Sequence, residues 1–270
     1  MSSPSVSPPE SPSPSLPETD DLEADDVPTQ PFRFFNLPSE LRRKILGHVL
    51  ILENRTIDLD PANARSNLAR LNLFLTSHRM HEEAYHIFYS GHTFRIFPTT
   101  PRFYNSKVKS ILCRLSPRYR AALVSLEIRL GTGWSKPPKT WTVTDKLRLQ
   151  DCVGVRDLKV FVECDPSHQV FQGFRVSIDF FTDFASNLLG RIVERLPRLE
   201  RVTFDRNGPS VRRDSELMSR LQEAVLKGQR RIGWARGRWE DEEDDQRAKR
   251  EAYSLFSKLQ FLTIPQSVEC

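Results

Sequence analysis

The sequence predicts a mixed α+β / α/β chain, with a small helical domain near the N-terminus and then an α/β region of repeated strand–helix units. Three observations carry this expectation. Apolar residues between 38 and 90 recur at helical spacing. Beyond residue 105, short apolar–polar alternations recur four times, with amphipathic helical stretches between the later ones. The first 31 residues lack what a core needs: they hold 8 of the 19 prolines, 7 serines, 7 carboxylates and neither Lys nor Arg. With 270 residues and about 150 per domain, three segments are expected: a disordered Ser/Pro-rich acidic tail over 1–31, a helical domain over 32–97 and an α/β recognition domain over 98–270.

Charge and composition narrow the function classes. The chain carries +5, and setting aside the −7 of the tail leaves +12 on the other 239 residues. A chain of that size buries roughly 70% of its unfolded surface. No run of 18 apolar residues exists to span a membrane, and the uncharged Ser/Pro-rich start has no secretory pattern. Cys113, Cys152, Cys164 and Cys270 show neither paired C-x-x-C spacing nor the density of a disulfide scaffold. The expectation is a reduced intracellular protein, cytoplasmic or nuclear. The sequon Asn54-Arg55-Thr56 carries no weight in such a compartment.

The elements follow in chain order. The tail cannot bury enough apolar surface to offset its ordering entropy. Its Ser-Pro pairs at Ser3, Ser7, Ser11 and Ser13 suit a proline-directed kinase, or a plain solvated tail. In LPSELRRKILGHVLIL, Pro38 suits the first helical position and Glu40 complements the positive end of the helix dipole. Leu41, Ile45, Val49 and Leu52 make one apolar stripe, which Leu46 and Leu50 broaden, so a helix is expected over about 38–52. Residues 53–66 are polar around Pro61 and read as a loop. Two short helices follow: one with Leu68, Leu71 and Leu75 on a face, the other capped by Ser77, presenting Met80, Ala84, Ile87 and Phe88, and ending at Gly91. Thr93–Phe97 alternates as a strand does.

The recurring alternations are LVSLEIRL (123–130), VRDLKVFV (155–162), LPRLERVTF (196–204) and FSKLQFLTI (256–264). Their key leucines are Leu126, Leu158, Leu199 and Leu259. Leu188, Ile192 and Leu196 mark one intervening helix. Leu217, Leu221 and Val225 mark another, with Asp214 as its expected cap. Strand–loop–helix units in series predict a parallel sheet, built as degenerate leucine-rich-repeat-like units.

LPSELRRKILGHVL resembles the opening helix of an F-box. Together with LFLTSHRMHEEAYHIFYSGHTFRI, where Glu83, Ala84, Phe88, Tyr89 and Phe94 occupy the patterned positions, it resembles the F-box-like domain of small fungal proteins. The likeness covers about 60 residues. Ser77 stands at the usual cysteine, Phe88-Tyr89 in the region of the usual tryptophan, and the 53–66 loop is longer than in ordinary F-boxes. The resemblance implies an adaptor without catalytic function. The N-terminal helices would dock onto the Skp adaptor of a cullin–RING ubiquitin ligase, and the rest of the chain would hold a target protein. It implies contact residues at or beside Leu37, Pro38, Leu41, Ile45, Leu46, Val49 and Leu50. Each is equally a candidate for the domain's own core, since buried leucines are mostly packing.

Sharper chemistry finds little support. His78, His81, His86 and His92 invite a metal reading. The five-residue step from His81 to His86, however, turns the rings about 140° apart on a helix, unlike the i, i+4 pair of a zinc site. Gly131-Thr132-Gly133 is a lone G-x-G. No cofactor, metal or catalytic constellation is expected. The rival to an adaptor is nucleic-acid binding through two basic clusters. One comprises Arg95, Arg102, Lys107, Lys109, Arg114, Arg118 and Arg120, with no carboxylate between Ala84 and Leu126. The other comprises Lys227, Arg230, Arg231, Arg236 and Arg238 beside Trp234 and Trp239, followed by the acidic run 240–245, which could neutralise it. A third reading is a stand-alone interaction protein that does not bind the adaptor.

Overall fold

The structure is a computed structural model that describes residues 32–51, 56–58, 63, 69–100, 110–131, 137–166, 171, 177, 179–208, 210–236 and 239. The expected tail and its Ser-Pro pairs lie outside the described residues, as does the fourth alternation at 256–264. The chain divides into Met1–Leu37 and Pro38–Cys270. In the first unit, Phe34–Asn36 makes one 3-10 turn, closed by the Leu37 N–H donating to the Phe34 carbonyl at 3.2 Å.

The second unit is mixed α/β, organised by one sheet. Its strands are β1 (Thr56–Ile57), β2 (Thr93–Arg95), β3 (Ser125–Leu130), β4 (Asp157–Val162), β5 (Arg201–Arg206) and β6 (Arg231–Trp234). They lie side by side in chain order, and every neighbouring pair is parallel. The alternation of the sequence sets the register. Ile57, Phe94, Leu126, Leu158, Val202 and Ile232 form one ladder across all six strands, and Ile128, Val160, Phe204 and Trp234 form another. These residues turn to the covered face, where Leu126, Leu158, Val160, Val202 and Phe204 are fully buried. The residues between them, such as Glu127, Lys159 and Thr203, turn to the other face. Parallel sheets usually bury both faces; this one leaves one face polar.

The helices are α1 (Ser39–Leu50), α2 (His78–Gly91), α3 (Pro117–Ala122), α4 (Phe180–Arg195) and α5 (Glu216–Lys227). α4 and α5 cross between β4, β5 and β6 and pack on each other. Leu188, Leu189 and Ile192 from α4 and Leu217, Leu221 and Val225 from α5 complete the core. Each such side chain contributes about 1.5–3 kcal/mol by leaving water.

Several expectations need correction. The loop expected over 53–66 contains β1. A two-residue strand has too few side chains to show alternation, and its backbone is satisfied by pairing with β2. The boundary expected at 97/98 falls inside the sheet, because β2 pairs with β3. β6 was not expected, since Gly233 and flanking arginines hide its pattern. The register partner of Leu158 is Val202, not Leu199, so the third repeat begins three residues later than the leucines suggest. Asn72–Leu75 is a 3-10 turn. Ser215 caps α5 in place of Asp214, its hydroxyl accepting from the Met218 N–H at 3.3 Å. Asp214 is held by Arg212 through two bonds of 2.9 and 3.0 Å. Pro38 stands one residue before the first helical position.

Candidate docking surface

α1 presents two unlike faces. Leu46 and Leu50, at 2% and 0% exposure, are core. Leu41, Ile45 and Val49 recur every four residues on the other side and are 46%, 39% and 47% exposed. Leu37 is half-buried and Pro38 exposed. Of the seven residues expected at an adaptor contact, Leu46 and Leu50 are therefore packing, whereas Leu41, Ile45 and Val49 form a continuous apolar row on the surface. A row of large aliphatics left in water on consecutive turns is the pattern of a helix that lays a face into a partner's groove.

The helix is fixed against α2 so that this row faces outward. Arg42 spans the two helices with a bidentate grip on Glu83, Nε to Oε2 at 2.8 Å and Nη2 to Oε1 at 2.9 Å. Both side chains are mostly covered, and Arg79 approaches the same carboxylate at 3.6 Å. The hydrogen bonds from Arg42 hold the Glu83 carboxyl below its ordinary range. α2 starts as expected, with the Ser77 hydroxyl accepting from the Met80 N–H at 3.2 Å. At the other end of α1, Arg70 Nε donates to the Val49 carbonyl at 3.1 Å, which satisfies one of the acceptors a helix end leaves open. A shallow cleft of about 380 Å³ runs between α1 and α2 beside Arg42 and Glu83.

Two of the four histidines are held by structural partners. His81 bridges the Phe74 carbonyl at 3.2 Å and the Tyr119 hydroxyl at 2.8 Å, and buried His92 bonds the Phe88 carbonyl at 2.8 Å. Tyr119 stacks on Tyr89 at 4.8 Å, and burial pushes the Tyr89 hydroxyl up to about 12. Among the described residues no group of three His, Cys, Asp or Glu side chains could hold a metal ion. Gly131, with φ of +107°, turns the chain after β3 where a Cβ would stand 2.7 Å from the Cys164 backbone nitrogen.

The described members of the first basic cluster do not form one cationic surface. Arg102, Lys107 and Lys109 lie outside the described residues. Arg118 pairs with Glu82 and sits 4.2 Å over the Tyr85 ring. Arg120 is buried, bonded to Asp151 at 2.9 Å and to the carbonyls of Leu112 and Leu115. Arg95 is enclosed by two carboxylates, Asp58 and Glu127. Arg114 is exposed on its 3-10 turn. The aromatics of the second cluster are packing groups rather than stacking platforms. Trp239 is 1% exposed, its indole N–H donating to the Phe204 carbonyl at 3.3 Å, and Trp234 lies edge-on to it at 4.9 Å. Arg206 and Arg213 cover these rings at 4.5 Å each. Counting charge along the chain could not reveal these pairings, because the carboxylates come from 31 to 37 residues away, as with Asp151 and Asp58.

Among the described residues no helix is long and apolar enough to cross a membrane. No family model, curated protein or solved structure matches the chain.

Proposed function

We propose that the protein is a partner-binding adaptor of F-box-like type. It docks through α1 onto the Skp adaptor of a cullin–RING ligase and holds a target protein on its sheet region. The single observation that carries this reading is the exposed row Leu41, Ile45 and Val49 on a helix whose adjoining face, Leu46 and Leu50, is core. The order of the sheet supports the other half. Parallel strands stacked in chain order, with one face apolar and covered and the other polar, suit a leucine-rich-repeat-like array that meets a target through its polar side.

The test is co-purification of the full chain with the matching Skp adaptor, and the expected result is a 1:1 co-eluting peak. Ile45→Asp puts a charge in the middle of the row without touching the core. It should leave the circular dichroism spectrum unchanged and weaken the complex at least about thirtyfold, the loss of an anchor worth about 2 kcal/mol. A folded protein that gives no complex, or an Ile45→Asp variant that binds normally, overturns the adaptor assignment.

A further inference from the structure

The Ser-Pro pairs of the sequence have one further member, Ser116-Pro117, and it lies among the described residues. Four serines there stand directly before helical turns: Ser77, Ser110, Ser116 and Ser215. Three of them use the hydroxyl on the turn, accepting from the N–H groups of Met80, Leu112 and Met218 at 3.2, 3.2 and 3.3 Å. Ser116 does not. Its hydroxyl makes no capping bond, and the residue is exposed together with Pro117 and Arg118.

Protein kinases take the residues around the acceptor hydroxyl in extended form, and the backbone here has that form. Leu115 has φ of −74° and ψ of 144°, and Ser116 has φ of −68° and ψ of 158°. Pro117 enforces this, because its ring disfavours the helical region for the residue before it. Pro117 also has no N–H, so a pocket closed over it leaves no backbone donor unsatisfied. The flanking charges are positive. Arg114 is exposed two residues before Ser116, and Arg118 is 47% exposed two residues after it. Arg118 ties α3 to α2 by pairing with Glu82 and lying 4.2 Å over the Tyr85 ring.

We propose that Ser116 is a phosphorylation site for a proline-directed protein kinase, and that Arg118 answers the phosphate by leaving Glu82. In the reaction the γ-phosphoryl group of ATP moves to Ser116 Oγ. The Oγ–P bond forms and the bond from phosphorus to the β,γ-bridging oxygen breaks. The hydroxyl proton passes to the kinase's base, and ADP leaves. The product carries about −1.5 to −2 charges at pH 7 where a neutral hydroxyl stood. Arginine pairs with phosphate through two parallel hydrogen bonds, so the more highly charged group outcompetes a single carboxylate for the exposed guanidinium. The modification thus exchanges one link between α2 and α3, while the His81–Tyr119 bond and the Tyr89–Tyr119 stack still hold the two helices together. The site goes beyond the adaptor reading and depends on neither of its halves.

The experiment treats the full chain with a purified proline-directed kinase and ATP. Ser3, Ser7, Ser11 and Ser13 are replaced by alanine, and phosphate is mapped by mass spectrometry. Phosphate is expected on Ser116 of a protein whose circular dichroism spectrum shows it folded. Pro117→Ala should slow labelling at Ser116 at least about tenfold, the loss of one specificity contact. Phosphorus NMR of the product then identifies the partner. A phosphate held by Arg118 should lose its second proton below the ordinary value of about 6, because a neighbouring cation favours the dianion. Arg118→Gln should move that titration back up, and Glu82→Gln, which leaves Arg118 to the phosphate alone, should move it further down. Absence of phosphate on Ser116, or labelling of Ser116 that Pro117→Ala leaves unchanged, overturns the site. A phosphate that titrates identically in Arg118→Gln overturns the role given to Arg118.

Discussion

At the scale of single residues, the polar groups that matter most are those the fold has enclosed. Arg95 is 13% exposed and lies between Asp58 and Glu127, at 8% and 12%. Burial opposes its charge while the two carboxylates favour it, and the net effect raises its pKa. Arg95→Ala would leave two carboxylates facing each other under little solvent. The expected loss is about 3–5 kcal/mol, the range for breaking a buried pair from one side, read as a shift in the urea midpoint. A loss under about 1 kcal/mol would mean that water reaches the site. Glu83 makes a different prediction. Its folded pKa lies below the ordinary 4.5 because Arg42 hydrogen-bonds the ionised form. Its stabilising contribution is therefore complete above that ordinary value and fades as pH falls through the lowered one. Glu83→Gln should melt below wild type at neutral pH, and the gap should close as pH drops from about 5 towards 3. A gap that stays constant would show that the carboxylate charge is not what ties α1 to α2.

At the scale of elements, α1 shows what a periodic pattern can and cannot say. Its stripe holds five large aliphatic residues, and sequence alone cannot divide them between core and surface. That division depends on where α2 lies, which Arg42 and Glu83 fix across 41 residues of chain. The structure divides it at Leu46 and Leu50. Leu46→Ala should cost about 2–5 kcal/mol by leaving a cavity, whereas Ile45→Ala, at 39% exposure, should cost well under half of that. Equal losses in denaturant titrations would contradict the two-faced helix. The strands were legible where six residues alternate cleanly, as in β3 and β4. β1 and β6 were not: one has two residues, and the other has a glycine at an outward position. The candidate site was partly legible for the same reason. The row on α1 could be named from its spacing. The tie between Arg42 and Glu83 that turns this row outward could not, because its two members lie 41 residues apart.

At the scale of the whole molecule, the order of the sheet makes a claim about how the protein comes apart. Each strand pairs only with the strands next to it in sequence, so stability should be held locally, unit by unit, as in other stacked arrays. Trp239 anchors the last described unit: it is 1% exposed, bonds the Phe204 carbonyl at 3.3 Å and packs against Trp234. Trp239→Ala should remove about 3–5 kcal/mol, and the loss should stay near its source. In native-state hydrogen exchange, the amides of β6 and α5 should lose most of their protection and those of β5 part of it. Those of β3 and β4, whose leucine and valine ladders are untouched, should keep theirs. Protection falling evenly from β3 to β6 would mean that the core opens as one cooperative body, and the unit-by-unit reading would fail.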